Sequence, residues 1–137
     1  MEQRSEVIFD KNSIEFVTVA AEYCAFIEHT RQMERVSFVD TALKILPLLY
    51  LKASLLPAIE LMGEDDLEVF VTEGDYEIVR SSVADILGEH DDYLEVFLPD
   101  MAYSDTPIKR TVSEDLADIY QDIKNFVKLL LAKSGEC

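Results

Sequence analysis

The stretch from Ser113 to Lys124 reads SEDLADIYQDIK, and it decides the fold class of this chain. At ~100° per residue, its four acidic side chains fall within about one quarter of a helix surface. These acids, called the acidic ladder below, are Glu114, Asp115, Asp118 and Asp122. The opposite side carries the apolar residues Leu116, Ile119, Ile123, Phe126, Val127 and Leu130. This pattern predicts a core-forming helix with a strongly negative outer wall.

Length and composition predict a folded, acidic protein. The chain has 137 residues, a 49% hydrophobic content and a net charge of −16, from 28 acids against 12 bases. We expect a single domain over residues 1–137, with residues 1–11 and 134–137 flexible. Phosphate backbones and anionic lipid surfaces repel such a molecule, so we expect neither a nucleic-acid partner nor a membrane partner.

Cysteine usage and hydropathy favour the cytoplasm. Neither Cys24 nor Cys137 has metal-ligand spacing, and both are expected to be free thiols in a reducing compartment. The most apolar run, Ile45 to Leu51, is far shorter than the ~20 residues that span a bilayer. We predict no metal and no cofactor.

Helix-start signals recur along the chain. Four pairs resemble a capping box, in which a short polar side chain and an acid three residues later satisfy backbone N–H groups. They are Asn12 with Glu15, Ser37 with Asp40, Thr72 with Asp75, and Thr111 with Glu114. Each pair precedes apolar residues at helical spacing, and alternating strand patterns are weak, so the predicted class is all-α.

The predicted architecture is a bundle of about five to six helices. The segment 37–56 is apolar nearly all round, which is typical of a buried central helix, and Pro47 should kink it. The other helices are expected at about 13–31, 67–71 and 73–87, from Asp91 or Asp92 to Leu98, and from Ser113 onward. The stretch from Met101 to Arg110 is expected to be irregular.

The acidic ladder has two interpretations. Asp118 and Asp122 are four residues apart and could share the ligand shell of a divalent cation. Alternatively, acids gather in the first turns of a helix because the helix dipole favours them there, and they solvate an exposed face. The second interpretation is favoured, because a metal site needs a second acidic helix facing the first.

Two further features are candidates for protein contacts. Tyr103, Lys109 and Arg110 lie in a segment with a pair of basic residues, which could be a docking loop, although an ordinary connection between helices is favoured. Leu48, Leu51 and Leu55 form a second apolar stripe on segment 37–56. This stripe could be a dimer face, although burial within the monomer is favoured.

Four stretches together resemble an uncharacterised bacterial family that is classed only as a domain of unknown function. They are EFVTVAAEYC at 15–24, LPLLYLKA at 46–53, DYLEVF at 92–97, and SEDLADIYQDIKNF at 113–126. The resemblance covers nearly the whole chain and implies a small, all-helical cytoplasmic protein. It supplies no catalytic or binding residues. Relatives continue past the position of Lys133 with further sequence.

The leading functional prediction is a non-catalytic interaction or regulatory module with an unknown protein partner or with itself as a homodimer. It would present the acidic ladder and the segment from Tyr103 to Arg110. The alternative is a magnesium- or manganese-dependent hydrolase, such as an all-helical nucleotide pyrophosphohydrolase, because those enzymes hold metal on acidic helices. A third interpretation is a mimic of nucleic acid.

Overall fold

A computed structural model describes residues 10–56, 70–95 and 108–133 of the chain. These ranges contain α1 (Lys11–Glu28), α2 (Arg35–Ser54), α3 (Glu73–Leu87), β1 (Asp92–Glu95), β2 (Ile108–Thr111) and α4 (Val112–Lys133), with short 3-10 helices at Thr30–Gln32 and Gly88–Asp91. The predominantly helical class is confirmed. Within the described residues there are four α-helices, where five to six were expected for the whole chain.

Some expectations fall outside these ranges. Residues 67–69 of the short helix expected at 67–71 lie outside the described residues, and residues 70–71 are not helical. The termini expected to be flexible also lie outside the described residues, except that Asp10 and Lys11 are described and begin α1.

Local capping explains where α3 and α4 begin. The Thr72 hydroxyl accepts from the backbone N–H of Asp75 at 3.1 Å, and the Asp75 carboxylate accepts from the N–H of Thr72 at 3.2 Å. This confirms the predicted capping box. At α4, the hydroxyl of Thr111 accepts from the N–H of Glu114 at 3.2 Å and donates to the Glu114 carboxylate at 2.8 Å.

The other two predicted capping boxes were wrong. The N-cap of α1 is Asp10, whose carboxylate accepts from the N–H of Asn12 at 2.9 Å. The N-cap of α2 is Glu34, with no capping bond from its side chain, so this helix starts before Ser37. Both helices extend beyond the polar residue that resembled a cap, because a Ser or Asn can equally occupy the first turn.

The core lies between α1, α3 and α4. Tyr23 of α1 is fully buried and donates a 2.8 Å hydrogen bond to the backbone carbonyl of Leu116 in α4. Phe16 and Phe126 meet edge to face between the same two helices, with ring centroids 5.7 Å apart. The apolar side of α4 predicted from the Ser113 stretch is therefore packed into the core.

Helix α2 is not the buried centre that its composition suggested. It packs mainly against α1, where Phe38 stacks on Phe26 with ring centroids 5.1 Å apart. Its buried side chains are Phe38, Ala42 and Leu49, and most of its other large apolar side chains are exposed. A helix with one main neighbour has only one stripe covered, whatever its composition.

A β-hairpin replaces the helix expected from Asp91 or Asp92 to Leu98. Strands β1 and β2 pair antiparallel, with Asp92 opposite Thr111 and Glu95 opposite Ile108. Residues 108–110 are accordingly strand rather than irregular, while residues 96–107 lie outside the described part of the chain. The prediction was wrong because strand pairing depends on a partner that is distant in sequence.

Candidate functional site

The acidic ladder lies on the outer side of α4, as its spacing predicted. Glu114, Asp118 and Asp122 are exposed, and Asp115 is partly covered. The neighbouring Leu116 and Ala117 are buried in the core, so the helix has one packed side and one acidic side.

Two tyrosines from other elements bind the acidic ladder. The phenol of Tyr76, on α3, donates to the Asp118 carboxylate at 2.7 Å. The phenol of Tyr93, on β1, donates to the Asp115 carboxylate. Burial, together with the hydrogen bond to Asp118, raises the pKa of Tyr76 to about 12. At neutral pH this phenol stays protonated, so it holds α3 to α4 and cannot act as a base.

Within the described residues, no group of three or more His, Cys, Asp or Glu side chains comes close enough together to hold a metal ion. Asp118 faces a tyrosine, and Asp115 faces a tyrosine and Arg110. A metal-dependent hydrolase would need acids converging across a cleft.

The basic residues of the candidate docking segment lie in the hairpin. The Lys109 ammonium group lies 3.1 Å from the Asp92 carboxylate, across the strand pair. The Arg110 guanidinium lies 3.6 Å from the Asp115 carboxylate of α4. Both cations therefore have carboxylate partners in the hairpin or on α4. Tyr103, the third residue of that prediction, lies outside the described residues.

A charged cluster that sequence reasoning missed joins α1 to α4. The Glu28 carboxylate accepts from the phenol of Tyr120 at 2.6 Å and is ion-paired with Lys124. The Lys124 ammonium group also lies 5.2 Å from the centre of the Tyr120 ring. Tyr120 and Lys124 are four residues apart on a helix, but no local signal points to Glu28, which is more than 90 residues away in sequence.

The side chains of this cluster keep the same protonation states around neutral pH. Burial and the bond to Glu28 raise the pKa of Tyr120 to about 12. Burial alone would raise the pKa of Glu28 and lower the pKa of Lys124. The hydrogen bond between these two side chains and their bonds to Tyr120 have the opposite effect and are stronger together. As a result, the pKa of Glu28 is lowered and the pKa of Lys124 is raised. No member of the cluster changes its charge near neutral pH, so proton transfer there is not a plausible role.

The second apolar stripe of α2 is exposed. Leu48, Leu51 and Leu55 are between 42% and 52% exposed, so the favoured expectation that the monomer buries them was wrong. The sequence analysis also missed Val36, Leu43 and Tyr50, which are 69–79% exposed. The seven-residue spacing of this trio could have indicated a line along the helix. We call these six residues together the α2 face.

The described residues form a small, acidic and mainly helical structure. Most of the polar side chains that were predicted as site residues are bonded to a neighbouring helix or strand. Residues 7–137 match the model of a family described as a domain of unknown function, DUF5063, and the chain belongs to that family. This confirms the resemblance seen in the sequence. No curated protein matches the chain.

One solved structure is closely similar. It is the crystal structure of protein BF1032 from Bacteroides fragilis, which is 55% identical to this chain, with a TM-score of 0.79. The match covers 95% of this chain and 75% of the Bacteroides protein. No helix among the described residues has both the length and the apolar character needed to cross a membrane.

Proposed function

We propose that this protein is a non-catalytic interaction module that pairs with a second copy of itself through the α2 face. One observation carries the proposal: α2 and its C-cap residue Leu55 leave the six large apolar side chains of the α2 face exposed to solvent. Exposed apolar surface of this extent is typical of a protein contact. The free thiol of buried Cys24 agrees with the reducing cytoplasm as the place of action.

Charge makes α2 the place where two copies of this acidic chain would repel each other least. Helix α2 carries three basic side chains, Arg35, Lys44 and Lys52, against the single acid Asp40. Each of the other described α-helices carries more acids than bases. Two molecules of net charge −16 repel each other least when they meet through the part with the least negative charge.

The spacing of the α2 face fits a two-fold axis. Val36 and Tyr50 lie equally far from Leu43 in sequence, on one line along the helix. If two α2 helices pack antiparallel about Leu43, Val36 of each copy meets Tyr50 of the other, and Leu43 meets itself. Such self-complementarity is what an isologous interface requires. A standard interface buries ~800 Å² from each partner, and six exposed large side chains offer area of that order.

The experiment is the mass in solution as a function of concentration, measured by sedimentation and light scattering. We expect a dimer for the natural chain and a monomer for Leu43→Glu, because that change places two carboxylates at the axis. Ile78→Glu is the matched control, since Ile78 is also exposed but lies on α3. It should leave the dimer intact.

A cysteine at the axis tests the arrangement itself. Leu43→Cys in a Cys137→Ser background should form a disulfide-linked dimer on mild oxidation, while Ile78→Cys should not. A natural chain that remains monomeric at millimolar concentration would contradict the proposal. So would a dimer that survives Leu43→Glu.

A further inference from the structure

Two arginine side chains near the start of α2, Arg31 and Arg35, have no carboxylate partner among the described residues. Seven of the lysine and arginine side chains in the described residues form ion pairs with acids. Arg31 and Arg35 form none with a described carboxylate. Each instead donates from its Nε atom to a neutral acceptor on α3.

These bonds hold both guanidinium groups against α3. Arg31 donates to the Ser82 hydroxyl at 2.8 Å, and Arg35 donates to the backbone carbonyl of Ile86 at 2.9 Å. Ser82 and Ile86 are one helical turn apart, so the two acceptors are separated by about 6 Å along the helix axis. The two Nε donors are therefore bonded to neighbouring turns of α3. A Cβ atom on Gly88 would meet Nη2 of Arg35 at 3.3 Å, so this glycine accommodates the guanidinium closely.

A surface cavity contains Arg31 in its lining, and Arg35 reaches the edge of that cavity by bonding to the carbonyl of Ile86. It is lined by Thr30, Arg31, Met33, Ser82, Asp85 and Ile86. The two hydroxyl groups in the lining are already engaged, because Thr30 donates to the carbonyl of Ile27 at 2.7 Å and Ser82 donates to that of Ile78 at 2.7 Å. Two kinds of polar side-chain group remain to meet a ligand: the Asp85 carboxylate, and the terminal N–H groups of Arg31 in the lining and of Arg35 beside it.

We propose that Arg31 and Arg35 form a binding site for a phosphate monoester. An arginine whose Nε–H is engaged still offers its terminal N–H donors for paired hydrogen bonds to an oxyanion. A carboxylate satisfies one such pair, whereas a phosphate group has enough oxygen atoms to bridge both cations. Met33 and Ile86 provide an apolar wall beside the charge, which suits the organic part of an ester.

Asp85 limits what the site accepts. Its carboxylate lines the same cavity, so it opposes the entry of an anion and makes a second negative group unfavourable. We therefore expect Asp85→Asn to strengthen phosphate binding several-fold. A site for a cation would respond in the opposite way.

Nuclear magnetic resonance can follow the arginine Nε–H signals of the natural chain at constant ionic strength. Adding inorganic phosphate should shift the signals of Arg31 and Arg35, while those of Arg80 and Arg110, which are ion-paired, serve as internal controls. Acetate at equal concentration should cause clearly smaller shifts, and phenyl phosphate should bind several-fold tighter than inorganic phosphate. Equal shifts for all four arginines, or equal affinity for acetate and phosphate, would overturn the proposal.

Substitutions give a second test. Arg31→Gln and Arg35→Gln should each weaken phosphate binding at least tenfold, whereas Arg80→Gln, with the same loss of charge on α3, should leave it unchanged. If the glutamine variants unfold, the shifts of the arginine Nε–H signals in the natural chain still test whether Arg31 and Arg35 bind phosphate. The same titration in Leu43→Glu should give unchanged affinity, so this result is independent of the dimer. Arginine variants that keep full affinity would refute the site.

Discussion

Two serines with the same burial differ in whether their hydroxyl groups are bonded. Ser13 and Ser113 are both fully buried in the first turn of a long helix. The Ser13 hydroxyl has no hydrogen-bond partner in the described part of the chain, whereas that of Ser113 donates to the Asp91 carboxylate at 2.7 Å. A buried hydroxyl without a hydrogen bond lowers the free energy of unfolding, because it has lost its contact with water. Where a buried hydroxyl is hydrogen-bonded, it is the removal of the hydroxyl that lowers the free energy of unfolding.

This contrast predicts opposite effects of the same substitution. Ser13→Ala should leave stability unchanged or raise the free energy of unfolding by about 1 kcal/mol, because it removes a desolvated hydroxyl. Ser113→Ala should lower it by about 1–3 kcal/mol, because Asp91 loses a partner in a buried position. Urea unfolding of both variants measures the two effects. A loss at Ser13 equal to that at Ser113 would contradict the prediction.

Tyr120 should make the protein sensitive to alkaline pH. Its pKa is raised to about 12 in the folded state from an ordinary 10.0. Below pH 10 the phenol is protonated in both states, so its contribution to stability is fully present. Between pH 10 and about 12 the unfolded state releases the proton first, and stability falls as the pH rises.

Tyr120→Phe should therefore reduce the loss of stability over this alkaline interval. The slope should shrink and not vanish, because burial also raises the pKa of Tyr76 to about 12. Tyr50→Phe, which removes a phenol that is exposed in the single chain, is the matched control when both variants are made in the Leu43→Glu background. Urea unfolding at a series of alkaline pH values gives the slopes. An unchanged slope for Tyr120→Phe would contradict a raised pKa of Tyr120 in the folded state.

At the level of secondary-structure elements, local sequence signals predicted where helices form, but they did not predict which elements those helices contact. The capping box of Thr72 and Asp75 was readable because both partners lie within four residues. The hairpin was not, because β1 reads as the apolar start of a helix until its pairing with β2 is known. The cap that Asp91 provides to the N–H of Ser113, at 2.7 Å, spans 22 residues and has no local signature.

Asn125 should control how the start of α3 is attached to α4. Its side-chain oxygen accepts from the backbone N–H groups of Phe70 and Val71, each at 2.9 Å. Asn125→Ala leaves both donors unpaired and should lower the free energy of unfolding by about 2 kcal/mol. It should also speed hydrogen exchange at these two amides. Asn125→Asp keeps an acceptor oxygen, so an equal loss in that variant would contradict the role of the bonds.

At the level of the whole molecule, the candidate site was predictable in position and not in its contacts. The spacing of Glu114, Asp115, Asp118 and Asp122 correctly indicates one side of α4. The tyrosines that bind two of these acids come from α3 and β1, and only the fold brings them together. The α2 face was also missed for this reason. The composition of α2 indicates an apolar surface that is suited to burial, but it does not indicate how many neighbouring elements are present to bury it.

Salt should strengthen the proposed dimer. Each copy carries a net charge of −16, so association brings two acidic molecules together against their mutual repulsion. Raising the ionic strength from ~0.01 M to ~0.1 M shortens the screening length from about 30 Å to about 10 Å. The apolar contacts of the α2 face are not weakened by this screening, so the dissociation constant should fall several-fold over that range, as measured by sedimentation. A different arrangement, with the basic side chains of α2 against the acidic ladder of the second copy, would be weakened by the same salt. A dissociation constant that rises with salt would therefore favour that arrangement and contradict the two-fold apolar interface.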